Sequence, residues 1–182
     1  QEMAGGIFAD VIVDEAHDPT STFPWKGNID VSKLKALVDE HGADKIAYVS
    51  FEHSVNMAGG QPVSMDNMKE VHAFCNQPGI PVDVDATRVA ENACMIKLRD
   101  ERYKDASIKD ILGEMMLYGD GCTVSGKKDF LINMGGVLAF RDDPVRAAPA
   151  DEMQGGYEGN VTDGGLPAAD LAPVAQGDRA ML

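Results

Sequence analysis

Short apolar runs, each cut off by a charged or turn-forming residue and followed by an amphipathic stretch, set the strongest limit on what this chain can become. The runs lie at residues 7–13, 45–51, 80–84, 122–125 and 136–140. Between them apolar residues recur at helical spacing, as Val31, Leu34, Leu37 and Val38 do. Strands alternating with helices specify an α/β unit: a mostly parallel sheet with flanking helices. Parallel neighbours need a long crossover between them, and the intervening helical stretches supply it.

The punctuation agrees with this reading. Asp30 is placed to cap a helix that runs to residue 41, with Gly42 as its stop. Ser64 caps a second helix that reaches about residue 76 and ends near Pro78-Gly79. A third begins at about Arg88, and Ser107 with Asp110 forms a capping box for a fourth that ends near Gly119. After residue 141 the character changes. Residues 142–182 are rich in Ala, Gly and Pro, and Pro167 and Pro173 interrupt any helical pattern. The expected division is a folded part at 1–141 and a poorly structured tail, or remnant of a domain connection, at 142–182.

Composition removes several classes of function. The chain has 182 residues, 44% of them hydrophobic, enough for one domain with a core. A net charge of −14 argues against nucleic acid or an anionic membrane as partner. No apolar run approaches the ~20 residues of a membrane span, and the start lacks the basic-then-apolar pattern of a signal peptide. Cys75, Cys94 and Cys122 are widely spaced with no CxxC pair, which fits reduced thiols and a cytoplasmic location.

In open α/β sheets ligands gather beyond the carboxyl ends of the strands. Asn56, Asp85, Arg88 and Lys128 all fall at such ends, the last three within Asp83-Val84-Asp85-Ala86-Thr87-Arg88 and Val124-Ser125-Gly126-Lys127-Lys128-Asp129. A carboxylate at one strand end and a lysine at the next suit pyridoxal phosphate. The amine condenses with the cofactor aldehyde, and the carboxylate pairs with the pyridinium nitrogen. Each residue also has a plainer reading. Lys128 sits in a Lys-Lys pair of the kind usually solvated, Asp85 could be a strand-end cap, and Asn56 and Ser125 are ordinary turn residues. Asp14, Glu15, His17 and Asp18 look like a metal cluster, but adjacent side chains diverge and one His among acids lacks a ligand spacing. His41, His53 and His72 carry no chemistry that the sequence reveals. Gly59-Gly60 lacks the spacing of a phosphate loop.

Several segments resemble, in order, the aromatic amino-acid β-eliminating lyases, the family of tyrosine phenol-lyase and tryptophanase. They are Asp14-Glu15-Ala16-His17-Asp18, Lys26-Gly27-Asn28-Ile29-Asp30, residues 55–64 with Ala58-Gly59-Gly60-Gln61-Pro62, Asp85-Ala86-Thr87-Arg88, Ala90-Glu91-Asn92-Ala93 and Ser125-Gly126-Lys127-Lys128-Asp129. Ala86-Thr87, Gly126 and Asn133 lean to the tyrosine-cleaving branch; residues 99–105 lean slightly to the tryptophan-cleaving one. The resemblance implies the central part of the large domain of a fold-type I pyridoxal-phosphate enzyme, cut from a longer protein that assembles as a tetramer. It assigns the cofactor lysine to Lys128, the ring-nitrogen carboxylate to Asp85 and contacts with the cofactor's phenolate oxygen to Arg88 and Asn56. Asn56 also reaches the substrate carboxylate, and Ser125 the cofactor phosphate. The backbone carbonyl of Asn133 belongs to a potassium site that is incomplete here. The implied activity is β-elimination from an amino acid, tyrosine giving phenol, pyruvate and ammonia. Tryptophan giving indole, or a fragment that keeps the fold without turnover, are the alternatives.

Borohydride reduction of the protein with pyridoxal phosphate, followed by peptide mapping, should place the pyridoxyl group on Lys128. An adduct confined to Lys127 would overturn that assignment.

Overall fold

A computed structural model describes residues 5–131 and 135–141. Its centre is a four-stranded sheet in the order β1-β2-β3-β4, with β1 at Val49–Glu52, β2 at Val82–Asp85, β3 at Gly121–Ser125 and β4 at Gly136–Phe140. β1, β2 and β3 run parallel, in the registers Glu52↔Asp85 and Asp85↔Thr123. β4 returns antiparallel to β3, pairing Val124 with Val137. The helices α1 (Val31–His41), α2 (Met65–Asn76), α3 (Val89–Arg99) and α4 (Ile108–Met116) fill the connections. One core joins the sheet to the helices through Phe51, Val82 and Val84 on the strands and Leu34, Met68, Val71, Ala93, Ile96, Ile111 and Met115 on the helices.

The caps form as the sequence specifies. Asp30 Oδ1 accepts from the Ser32 and Lys33 amides, and Gly42 ends α1 at φ 87°, where a side chain would be strained. Ser64 Oγ accepts from Asn67 N–H, and Ser107 Oγ from Asp110 N–H. The reciprocal half of the last box differs from expectation: the Asp110 carboxylate takes the Ser107 hydroxyl at 2.7 Å.

Three boundaries differ from those read in the sequence. Residues 7–13 are not a strand, although six of the seven are apolar. They make only an isolated bridge, Ile12 to Ile29, and leave Ile7 95% and Phe8 67% exposed. A strand needs a ladder partner along its length, and among the described residues this segment finds only the short turn at 28–30. The run at 45–51 begins as a 3-10 turn at Ala43–Lys45, and the strand starts at Val49, where β2 first lies alongside. α4 ends at Met116 rather than near Gly119, as the amides of Leu117 and Tyr118 fold back on Glu114 and Met115. The expected tail at 142–182 lies outside the described residues, as does Asn133.

Buried asparagines fasten the connections to the core. Asn92 of α3 is fully buried; its Oδ1 accepts from the amides of Ser54 and Val63, and its Nδ2 donates to Val63 C=O. Asn67 of α2 brackets Ile29 in the same way, accepting from its N–H and donating to its C=O. Gly27 is required for close approach, because its N–H donates to Pro62 C=O and a Cβ there would lie 2.5 Å from Gln61 C=O. Between α2 and α4, Lys69 Nζ and the hydroxyls of Tyr103 and Tyr118 converge on Glu114 Oε1 at 2.7, 3.0 and 3.3 Å. Burial pushes the Glu114 carboxyl up, but these contacts outweigh it and hold the group below its ordinary value.

Asn92→Ala would leave buried amide and carbonyl groups of the 54–63 connection unmet. A stability loss of roughly 2–3 kcal/mol is expected, read as a lower urea midpoint at unchanged slope. A midpoint within error of the parent would show that water replaces the side chain without cost.

Candidate functional site

Parallel pairing brings the ends of β1, β2 and β3 to one edge. His53 N–H extends the ladder by donating to Asp85 C=O at 3.0 Å. The chain after β1 then turns back on itself, with an isolated bridge between Val55 and Gln61 and left-handed Gly59 and Gly60. Asn56 stands on this turn, exposed. Glu52 Oε1 accepts its backbone N–H at 2.7 Å, and its side-chain Oδ1 accepts from Arg88 Nη2 at 3.2 Å.

β2 ends at Asp85, half-buried, with Oδ1 accepting from Thr87 N–H at 3.0 Å; no second bond to its carboxylate is made among the described residues. Arg88 follows as the residue preceding α3 and keeps its guanidinium within 3.9 Å of Glu91. β3 ends at Ser125, whose N–H donates to Thr87 Oγ1 at 2.9 Å, so the two strand-end loops are joined. Lys127 and Lys128 come next, both exposed. Lys128 C=O accepts from Leu131 N–H, closing a tight turn in which Leu131 takes φ 55°. Arg88, Lys128, Cys94, Leu131 and Asp129 line a single open depression of about 570 Å³.

The structure therefore brings together Asn56 with Arg88, Arg88 with Lys128, and Ser125 with the loop that follows Asp85. Asp85 shares their edge but does not line the depression. The Asp14–His17 segment is a 3-10 turn engaged elsewhere: Asp14 pairs with Lys33 at 2.6 Å and His17 with Asp10 at 3.5 Å.

Two residues at this edge escaped the sequence reading. Asp129 Oδ2 accepts from the amides of Ala90 and Glu91 at 2.7 and 3.3 Å, a contact across 39 positions for which the sequence offers no local signal. His53 is 1% exposed, and its Nδ1 has no hydrogen-bond partner among the described residues. The alternation of buried Val49, Phe51 and His53 was legible and points to this burial. Desolvation pushes the imidazole down to about 4, with the neighbouring Asp85 charge opposing.

A model of the family described as beta-eliminating lyase matches residues 1–179. The chain belongs to that family. It is 54% identical over 177 residues to a tyrosine phenol-lyase of Pasteurella multocida and 52% identical over 177 residues to one of Symbiobacterium thermophilum. Each alignment takes in 97% of this chain and 38% of the relative, so the chain spans well under half the length of these proteins. Among solved structures, one from Exiguobacterium described as an aromatic amino acid beta-eliminating lyase/threonine aldolase superposes with a TM-score of 0.54 at 20% identity, covering 82% of this chain and 35% of the other. An L-allo-threonine aldolase structure from Listeria monocytogenes gives 0.51, also at 20% identity. At that identity the likeness speaks for the fold, and it agrees with the α/β sheet and flanking helices described above.

His53 gives a pH dependence of known sign. Its folded value lies below the unfolded 6.5, so the unfolded chain binds the extra proton. The stability it contributes is complete above about pH 6.5 and is lost as pH falls toward 4. His53→Gln should flatten the pH–stability profile between pH 7 and 4; an unchanged profile would show that other groups carry the loss.

Proposed function

We propose that residues 1–141 form the cofactor-anchoring core of a pyridoxal-phosphate-dependent lyase that eliminates the aromatic group of an amino acid, tyrosine to phenol, pyruvate and ammonia. The observation that carries this reading is identity of 52–54% with tyrosine phenol-lyases along nearly the whole chain. The donor set at the strand edge fits the cofactor: an exposed amine, a carboxylate with an open oxygen, a guanidinium held by an amide, and a hydroxyl. When bound, pyridoxal phosphate supplies an aldehyde for an amine and a ring that draws electron density from the substrate α-carbon.

The chain's own groups then have separable tasks. Lys128 would hold the cofactor through its amine, and its Nζ is the group that would take the proton from the substrate α-carbon. Asp85 would hold a proton on the ring nitrogen by its negative charge. Arg88 and Asn56, already bonded to each other, would donate to the phenolate oxygen, with Asn56 shared with the substrate carboxylate. Ser125 offers its hydroxyl to the phosphate. Potassium at the Asn133 carbonyl, assembly as a tetramer, and a cytoplasmic location complete the proposal. No described helix is long and apolar enough to cross a membrane.

The second reading is a fold-retaining segment without turnover. It is favoured by the 38% span, because grips on the phosphate and on the substrate carboxylate are only partly represented here. Orientation contributes ~7–11 kcal/mol to such reactions, so the isolated chain should be a poor catalyst even with Lys128 in place.

Pyruvate release, assayed with added pyridoxal phosphate, distinguishes these. A protein extended on both sides to the length of the relatives should release pyruvate from tyrosine faster than from tryptophan, while the 182-residue chain should be slower by orders of magnitude. Equal rates from tyrosine and tryptophan would remove the substrate assignment. No release by the extended protein from either would leave the non-catalytic reading.

A further inference from the structure

The first turn of α3 lacks a cap of its own. The residue before it is Arg88, which makes no side-chain bond to the helix amides because a guanidinium has only donors to offer. The N–H groups of Ala90 and Glu91 therefore need an acceptor from elsewhere, and Asp129 Oδ2 supplies it at 2.7 and 3.3 Å. The acceptor is one residue beyond Lys128 and belongs to a turn that carries a left-handed leucine, Leu131 at φ 55°, a conformation that must be held from outside.

We propose, building on Lys128 as the cofactor-bearing lysine, that Asp129 is the positioning residue of this site: by capping α3 it pins the lysine loop to the helix that begins at Arg88. One carboxylate then does two things. It completes the helix that Arg88 cannot cap, and it fixes the backbone from which Lys128 projects. Negative charge at a helix N-terminus is also favourable, so the attachment is charge-assisted. On the other side of the loop, Thr87 Oγ1 takes Ser125 N–H, so the lysine segment is tied to the β2–α3 connection both before and after the two lysines. Lys127, on the same loop, is presented differently from Lys128 only as long as this backbone is fixed.

The test uses the 182-residue chain with pyridoxal 5′-phosphate as probe, trapped by borohydride and mapped to individual lysines. The readout is the ratio of label on Lys128 to label on Lys127, alongside hydrogen exchange of the Ala90 and Glu91 amides. Asp129→Ala should lower the ratio roughly fivefold, the equivalent of losing one helix cap, and abolish protection of both amides. Asp129→Asn, which keeps an acceptor oxygen, should recover most of both. Ser107→Ala removes the comparable cap of α4 and should cost similar stability without moving the ratio. If Asp129→Ala does not fold, Asp129→Ser replaces it, since its oxygen is too short to reach Ala90. A ratio unchanged in Asp129→Ala or Asp129→Ser, or lowered equally by Ser107→Ala, overturns the positioning role while leaving Lys128 as the cofactor lysine. Absence of label from Lys128 in the parent chain overturns both.

Discussion

Parallel pairing of three strands is the constraint on which the rest of the site hangs. Because β1, β2 and β3 all run the same way, each delivers its last residue to the same edge, and β1 and β2 leave that edge by loops leading into helical crossovers. Glu52, Asp85 and Thr123 stand side by side in register, so the loops carrying Asn56, Arg88 and Lys128 start within neighbouring strand spacings of one another. β4 is the exception. Antiparallel to β3, it follows the lysine loop directly, and Gly126 N–H reaches Gly135 C=O where the two strands part.

A shared edge brings loops near each other without giving them shape. Shape comes from side chains that satisfy backbone groups far away in sequence. Asn92 takes the amides of Ser54 and Val63, which holds both stems of the turn bearing Asn56. Asn67 brackets Ile29, and Asn28 Oδ1 accepts Ser64 N–H ahead of α2. Thr87 and Asp129 do the same for the lysine loop. Each such contact removes a backbone group that would otherwise be buried without a partner, and that penalty is larger than the net gain of an average hydrogen bond. The loops are therefore specified by amide and carboxylate side chains on the helices and neighbouring loops rather than by their own turn residues alone.

In a protein of net charge −14, the depression is lined by two cations and two carboxylates, Arg88 and Lys128 with Glu91 and Asp129. Arg88 is partly matched by Glu91 within 3.9 Å. Behind the cations, His53 is kept neutral by burial, so the interior next to Asp85 adds no positive charge of its own near neutral pH.

Much of this was decided by the sequence. Asp30, Ser64 and Ser107 each place a cap oxygen within reach of amides three or fewer residues on, so α1, α2 and α4 begin where those residues stand. The runs ending at Asp85 and Ser125 are short, carry apolar residues at every second position (Val82 and Val84, Cys122 and Val124) and are bounded by turn formers, and that set the edge at which the candidate residues gather. Other features needed the tertiary structure. Residues 7–13 are as apolar as a buried strand, yet strand formation depends on a partner ladder, which no local pattern encodes. The capping of α3 by Asp129 and the binding of Val63 by Asn92 join positions 39 and 29 residues apart, and their value lies in burying backbone groups that only the assembled sheet brings together. Local sequence determines where elements start and stop because caps and turns are local hydrogen bonds; which loops touch is settled by register and burial, which exist only once the chain has packed.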